Sequence, residues 1–265
     1  MLFRSTSAPE VGSCECSNPK LNRLWENILW TQRGNLTGVP TDCPQRDERL
    51  GWMGDIQAFG QTACFNMDMA AFFTKFAQDM RDGQNPDGAF ADVSPRVPYL
   101  PGPGAPAWGD AGVILPWRAW QNYADDRLLA QHFDAARRWV DRVDELNPNH
   151  LWLEGRGADY NDWLNGNWVI AEGWPSEGGE VPREVFATGF FAHSTDLVAR
   201  MADVLGRKED AASYRALFEA IRKAFKDEFV YEDGRIQGDT QAGYALALDF
   251  GLVSPEREQQ AITHL

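Results

Sequence analysis

Apolar residues recur at steps of three and four along nearly the whole chain, the spacing that places them on one face of a helix. Between Asp125 and Leu146 the series is Leu129, Phe133, Ala136, Trp139, Val140, Val143 and Leu146; between Arg207 and Phe229 it is Tyr214, Leu217, Phe218, Ile221, Phe225 and Phe229. Weaker series predict helices at Leu21 to Gln32, Asp68 to Met80 and Arg183 to Leu205. Four more are expected at Ile56 to Phe65, Ala111 to Tyr123, Thr240 to Phe250 and Pro255 to Leu265, with Pro116 kinking the second of these or marking its first turn. Period-two alternation never persists, and the hairpin-like turns are confined to Asn85-Pro86-Asp87-Gly88 and Glu232-Asp233-Gly234. The class is therefore all-α. Short links such as Gly206 force antiparallel neighbours, so successive helical hairpins are the expected architecture.

Two connections do not suit a plain bundle. Residues 83–107 and 147–182 are long, rich in Gly and Pro, and aromatic, and loops of that kind in a compact domain are usually functional. The first 18 residues lack helical periodicity and read as an N-terminal tail or the remnant of an upstream domain; the rest, 19–265, reads as one domain.

Charge narrows the function. The formal net charge is −14, which would repel a phosphate backbone, so nucleic acid is excluded as a partner. No apolar stretch approaches the roughly 20 residues that span a bilayer, and no basic-then-apolar leader is present, so the expectation is a cytoplasmic protein without a membrane partner. Cys14, Cys16, Cys43 and Cys64 lack metal-site spacing, and His132, His150, His193 and His264 form no pair four residues apart, so no metal or cofactor is expected. Eleven tryptophans are present, most of them near Gly, Asp, Asn or Pro. Trp139 is core by its periodicity, whereas aromatic faces beside carboxylates and amides suit a sugar pocket.

The most informative stretch is TDCPQRDERLGWMGD, Thr41 to Asp55, which gathers Asp42, Asp47, Glu48, Asp55, Arg46, Arg49 and Trp52. Glycoside hydrolysis needs one carboxyl group held protonated to give its proton to the leaving oxygen, and further acceptors to fix sugar hydroxyls. If Glu48 faces a pocket walled by Trp52, with Asp42 and Asp55 nearby, desolvation and like charge raise its pKa; Arg46 and Arg49 must then pair elsewhere, Asp47 being a natural partner. Two plainer roles compete: Asp55 as an N-cap for the helix from Ile56, and Asp47, Glu48 and Arg49 as a solvated charge run.

This segment, with NPKLNRLWENILWTQRGNLTGVP before it and IQAFGQTACFNMD after it, resembles the signature region of bacterial α-L-rhamnosidases of glycoside hydrolase family 78. The resemblance continues through AWGDAGVILPW (Ala107 to Trp117), YNDWL (Tyr160 to Leu164) and GDTQAGYALALDFGLV (Gly238 to Val253). It implies a six-hairpin (α/α)6 barrel and an inverting reaction that releases terminal L-rhamnose from α-L-rhamnosides, with Glu48 as general acid. Asp42, Arg46, Trp52, Asp55, Trp108 and Trp163 are then substrate-binding, and rhamnose-containing oligosaccharides or glycosides are the partners. The lesser alternative for Trp108 is a core anchor; Asp110 and Asp162 are expected to brace or cap the loops that carry the tryptophans. The family's general base lies in a W-E segment of the last hairpins that has no match here, and about nine of twelve helices are accounted for. The chain therefore resembles a catalytic domain incomplete at its C-terminus, lacking the base and leaving apolar faces of its first and last hairpins open. Alternatives are another six-hairpin glycosidase, or a sugar-binding fragment without turnover.

Overall fold

The computed structural model describes residues 6–100, 102–164 and 179–265. It contains nine helices among those residues: α1 (Pro19–Asn35), α2 (Met53–Asn66), α3 (Ala70–Asp82), α4 (Ala111–Tyr123), α5 (Asp126–Leu146), α6 (Arg183–Val204), α7 (Lys208–Phe229), α8 (Gln241–Asp249) and α9 (Pro255–His264). No strand occurs among the described residues; extended segments meet in isolated bridges such as Trp52 with Val93. Both expected turns form, closed by Gly88 N–H to the Asn85 carbonyl (2.9 Å) and Gly234 N–H to the Tyr231 carbonyl (3.1 Å). Part of the long 147–182 connection, residues 165–178, and residues 1–5 of the N-terminal stretch lie outside the described residues.

Helix ends follow local chemistry. The Asn18 side chain accepts from Lys20 N–H (3.0 Å) with Pro19 in the first helical position, where its missing N–H costs nothing. Asp125 caps α5 by accepting from Arg127 and Leu128 N–H, and Thr240 caps α8 through Gly243 N–H (3.2 Å). α2 differs from expectation. It begins at Met53, whose N–H is satisfied by the Asp92 carbonyl of the 83–107 loop (2.9 Å). Asp55 is therefore not an N-cap; it sits in the first turn of α2, with Trp52 at the cap position.

Two kinds of helix alternate. α5 and α7 bury one stripe, whereas α4 and α6 bury most of their positions, as helices with protein on several sides do. α2 packs on α4, α4 on α6, and α6 on α8; α3, α5 and α7 pack behind them, and the α6–α7 hairpin is the most extensive pairing. This is the inner and outer layering of an α/α toroid, with the all-round apolar helices inside. Trp139 lies in the core at 1% exposure, as its periodicity predicts. On α1, Leu21, Leu24 and Trp30 are exposed, as are Ile262 of α9 and the terminal Leu265. No helix is long and apolar enough to cross a membrane among the described residues.

Pro116 does not mark the first turn of α4; it sits in the helix interior. Having no N–H, it leaves the Gly112 carbonyl four residues earlier without its helical donor. His132 of α5 supplies the replacement, its Nε2 lying 2.6 Å from that carbonyl, which fixes Nε2 as the protonated nitrogen. Nδ1 then accepts from Arg81 (3.2 Å). Burial, with Arg81 beside it, pushes the His132 pKa down to about 3, so the ring is neutral.

Candidate active site

The carboxylate segment is a loop closed at its neck by Asp42 N–H to the Leu50 carbonyl (3.1 Å). One end is tied to the C-terminus of α1, where the Asn35 carbonyl accepts from both Thr41 N–H (2.9 Å) and Thr41 Oγ1 (2.8 Å). The other is tied to the 83–107 loop by Ser94 N–H to the Gly51 carbonyl and by Met53 N–H to the Asp92 carbonyl, both 2.9 Å. The turn through Arg46 and Asp47 needs a left-handed residue to return the chain, and Arg49 takes it (φ 54°).

Within this loop the Trp52 indole N–H donates to Glu48 Oε1 (2.8 Å), holding the carboxylate against the aromatic ring. Arg46 Nη2 lies 2.5 Å from Glu48 Oε2. This corrects the expectation that both arginines pair elsewhere: Arg49 does pair with Asp47 (3.6 Å), but Arg46 pairs with Glu48, because the tight turn brings residues two apart onto one side. Asp42 and Glu48 carboxylate oxygens and the Cys43 sulfur lie within 4.8 Å of one another, a grouping of potential ligand atoms that Arg46 already partly neutralises. The Cys43 thiol is raised above its ordinary pKa, first by its hydrogen bond to Asp42 and then by burial. Asp42 Oδ1 is shielded from solvent and has no partner.

Within the Thr41 to Asp55 segment the carboxyl group pushed up is that of Asp55. Asp55 is exposed by its surface area, yet protein crowds its carboxyl group, and desolvation, then the charge of Asp42 and that of Glu48, push it up to about 6. Asp42 and Asp55 also border a cavity of about 360 Å³ between α1 and α2, lined by Thr31, Asn35 and Phe59 among others.

The two long connections deliver the aromatic wall. Trp108 and Trp163, one from each connection, both rest on Tyr160, with ring centroids 4.7 and 5.9 Å from it; Trp52 meets the same ring edge-on at 5.7 Å. Trp108 is 8% exposed and belongs to the core, whereas Trp163 is 47% exposed. Trp108 can come this close because residue 54 is glycine: a Cβ there would stand 2.5 Å from the indole. Thus Asp42, Arg46, Glu48, Trp52, Asp55, Trp108 and Trp163 form one contiguous group.

Asp110 is a bracing residue. It is fully buried, accepts from Trp139 Nε1 (2.9 Å), Ser194 Oγ (2.6 Å) and Ala107 N–H (2.8 Å), and makes no side-chain cap bond. Sequence reasoning missed Tyr160 and Asp92. The Tyr160 hydroxyl donates to Asp92 Oδ2 (3.0 Å), and burial pushes the Asp92 pKa up to about 6, with the Tyr160, Ala105 and Gly104 donors opposing. Tyr160 stood inside the recognised YNDWL string; the pairing with Asp92 left no sequence signal.

Comparison with known proteins places the chain in a family. Residues 9–265 match the family described as bacterial alpha-L-rhamnosidase 6 hairpin glycosidase domain. The chain is 46% identical over 261 residues to an alpha-L-rhamnosidase of Streptomyces avermitilis, covering 98% of this chain and 24% of that protein. It is 37% identical over 257 residues to one from Formosa agariphila, covering 95% and 26%. The crystal structure of the Streptomyces avermitilis alpha-L-rhamnosidase complexed with L-rhamnose superposes with a TM-score of 0.89 at 44% identity, over 98% of this chain and 24% of that one. The chain thus spans about a quarter of the length of these relatives.

Proposed function

The chain belongs to the bacterial α-L-rhamnosidase six-hairpin glycosidase family, and from that premise we propose that it carries the acid side of an inverting α-L-rhamnosidase site. Glu48 gives its proton to the glycosidic oxygen as terminal L-rhamnose leaves. Asp42, Arg46 and Asp55 hold sugar hydroxyls, and Trp52, Trp108 and Trp163 cover the ring's C–H faces. The observation that carries this reading is the Trp52 N–H bond to Glu48, which fixes a carboxylate at the edge of an aromatic wall built from both long connections.

Arg46 holds Glu48 while no sugar is bound. Its side chain is 60% exposed, so it is free to turn to a sugar hydroxyl, and an incoming ring that displaces both guanidinium and water favours the protonated acid. The substrates are rhamnose-containing glycosides. Inversion needs a second carboxylate about 6.5–9.5 Å from the acid to activate water on the opposite face. We assign that base to none of the described residues, and propose that the 265 residues by themselves bind the sugar without turning it over. Turnover of an aryl α-L-rhamnoside by this chain above a Glu48→Gln control would overturn that assignment.

A second reading follows from one observation, the Asp55 carboxyl raised to about 6: Asp55 rather than Glu48 donates the proton. The two separate by leaving group. In the whole polypeptide that carries these residues, the variant of the true acid, Glu48→Gln or Asp55→Asn, loses far more activity on alkyl rhamnosides than on activated aryl rhamnosides. The variant of a sugar-holding residue loses similar factors on both.

A further inference from the structure

Tyr160 is the ring on which Trp52, Trp108 and Trp163 all converge. Its own placement is determined from both sides along the chain. Asp159 and Asn161 flank it in left-handed backbone (φ 46° and 60°), and both are buried. Asp159 is held by Arg156 (3.1 Å), and Asn161 Nδ2 donates to the Val181 carbonyl (2.6 Å). Left-handed backbone at two non-glycine residues persists where surrounding contacts over-determine it, and here it presents Tyr160 towards the carboxylate loop.

The hydroxyl of that ring reaches Asp92, which grips the carboxylate segment twice. Its backbone carbonyl accepts from Met53 N–H, one residue after Trp52, and its side chain accepts from Tyr160, whose ring backs Trp52. Ala105 N–H contributes a further donor to the Asp92 carboxylate (3.3 Å). A continuous series of contacts therefore runs from Asp92 to the Tyr160 hydroxyl, from the Tyr160 ring to the Trp52 indole, and from the indole N–H to Glu48.

We propose that Tyr160, locked by its hydrogen bond to Asp92, is a positioning residue for the proton donor: it sets the tilt of Trp52 and through it the direction of the Glu48 carboxylate. This rests on the reading of Glu48 as general acid. An acid aimed slightly off the leaving oxygen transfers its proton poorly while the sugar still binds, so the consequence falls on kcat and on substrates whose leaving group needs the proton.

The test uses steady-state kinetics of the whole polypeptide on an alkyl and an activated aryl α-L-rhamnoside. Tyr160→Phe, which keeps the ring and removes the hydroxyl, is expected to lower kcat about tenfold on the alkyl substrate and less than about threefold on the aryl one, with KM within about twofold on both. Asp92→Asn, which retains an acceptor for the hydroxyl, is expected to keep the alkyl-to-aryl ratio near that of the parent; Asp92→Ala is expected to reproduce the Tyr160→Phe ratio. The Glu48→Gln, Tyr160→Phe double variant is expected to be no slower on the alkyl substrate than Glu48→Gln alone, because a residue acting through the acid has nothing left to aim. Equal losses of Tyr160→Phe on both substrates, or a double variant slower by the full Tyr160 factor, would overturn the proposal. The underlying reading fails separately, if Glu48→Gln itself shows no dependence on the leaving group.

Discussion

Asp110 and Asp42 are both shielded aspartate oxygens within the same domain, and they are treated in opposite ways. Asp110 Oδ1 accepts from Trp139 and Ser194 and its Oδ2 from Ala107 N–H, three elements closed on one group. Asp42 Oδ1 is equally cut off from solvent and has no partner. A buried polar atom with saturated bonds is a structural joint, whereas one left unpaired, beside Glu48 and an Asp55 raised to about 6, retains the capacity to accept a further hydrogen bond, which the proposed function gives to a sugar hydroxyl. The difference follows from surroundings: Asp110 lies where α4, α5 and α6 meet, while Asp42 lies in a loop tied only at its ends.

Substitutions that break this contrast should separate activity from stability. The largest effect is expected from Glu48→Gln in the whole polypeptide, a loss of about 10²–10⁴ in kcat on rhamnosides with poor leaving groups and little change in melting temperature. Asp110→Ala should do the reverse. It strands the Trp139, Ser194 and Ala107 donors and should cost about 3 kcal/mol of stability in urea unfolding, while rhamnose affinity measured well below the unfolding midpoint stays near the parent value. Asp42→Asn should change stability by less than about 1 kcal/mol yet abolish rhamnose binding in calorimetry, and a large stability loss there would erase the distinction. Gly54→Ala should fall between the two. Its Cβ displaces Trp108, costing about 1–3 kcal/mol and weakening rhamnose binding together.

The smallest effects are in titration. Asp55 is raised from 3.8 to about 6, so between those values the unfolded chain is more ionised than the folded one. Its contribution to stability therefore falls as pH rises through that window, and Asp55→Asn should remove this dependence. Asp42→Asn should move the Asp55 midpoint down, seen in carboxyl NMR, because a repelling charge is gone. His132 has the opposite sign. Held neutral, with its pKa lowered from 6.5 to about 3, it loses stability as pH falls below about 6.5, where the unfolded imidazole takes a proton that the folded one refuses.

The acid segment and the helix positions were legible because each is written locally. The seven charged or aromatic residues of the segment all fall between Asp42 and Asp55, and the helix at Ala111 to Tyr123 was read to its ends from its apolar pattern. The start of α2 was misread because Asp55 looks like a cap, while the donor that matters, Met53 N–H, finds its acceptor on Asp92, far along the chain. Likewise the pairing of Arg46 with Glu48 depends on how sharply the loop turns, which residue types leave open.

The amino-acid sequence by itself determined an all-helical chain of antiparallel hairpins and its family, and singled out the stretch from Thr41 to Asp55 as the candidate site. Periodicity and contiguous motifs express interactions between near neighbours, and those survive being read one dimension at a time. Tertiary structure alone decided that Tyr160 reaches Asp92 across 68 positions, that Ser194 meets Asp110 across 84, and that His132 repairs the bond Pro116 cannot make. Each of these is a single polar group satisfied by a partner distant in the chain. Its existence is demanded by burial, but its identity is chosen only when the helices pack.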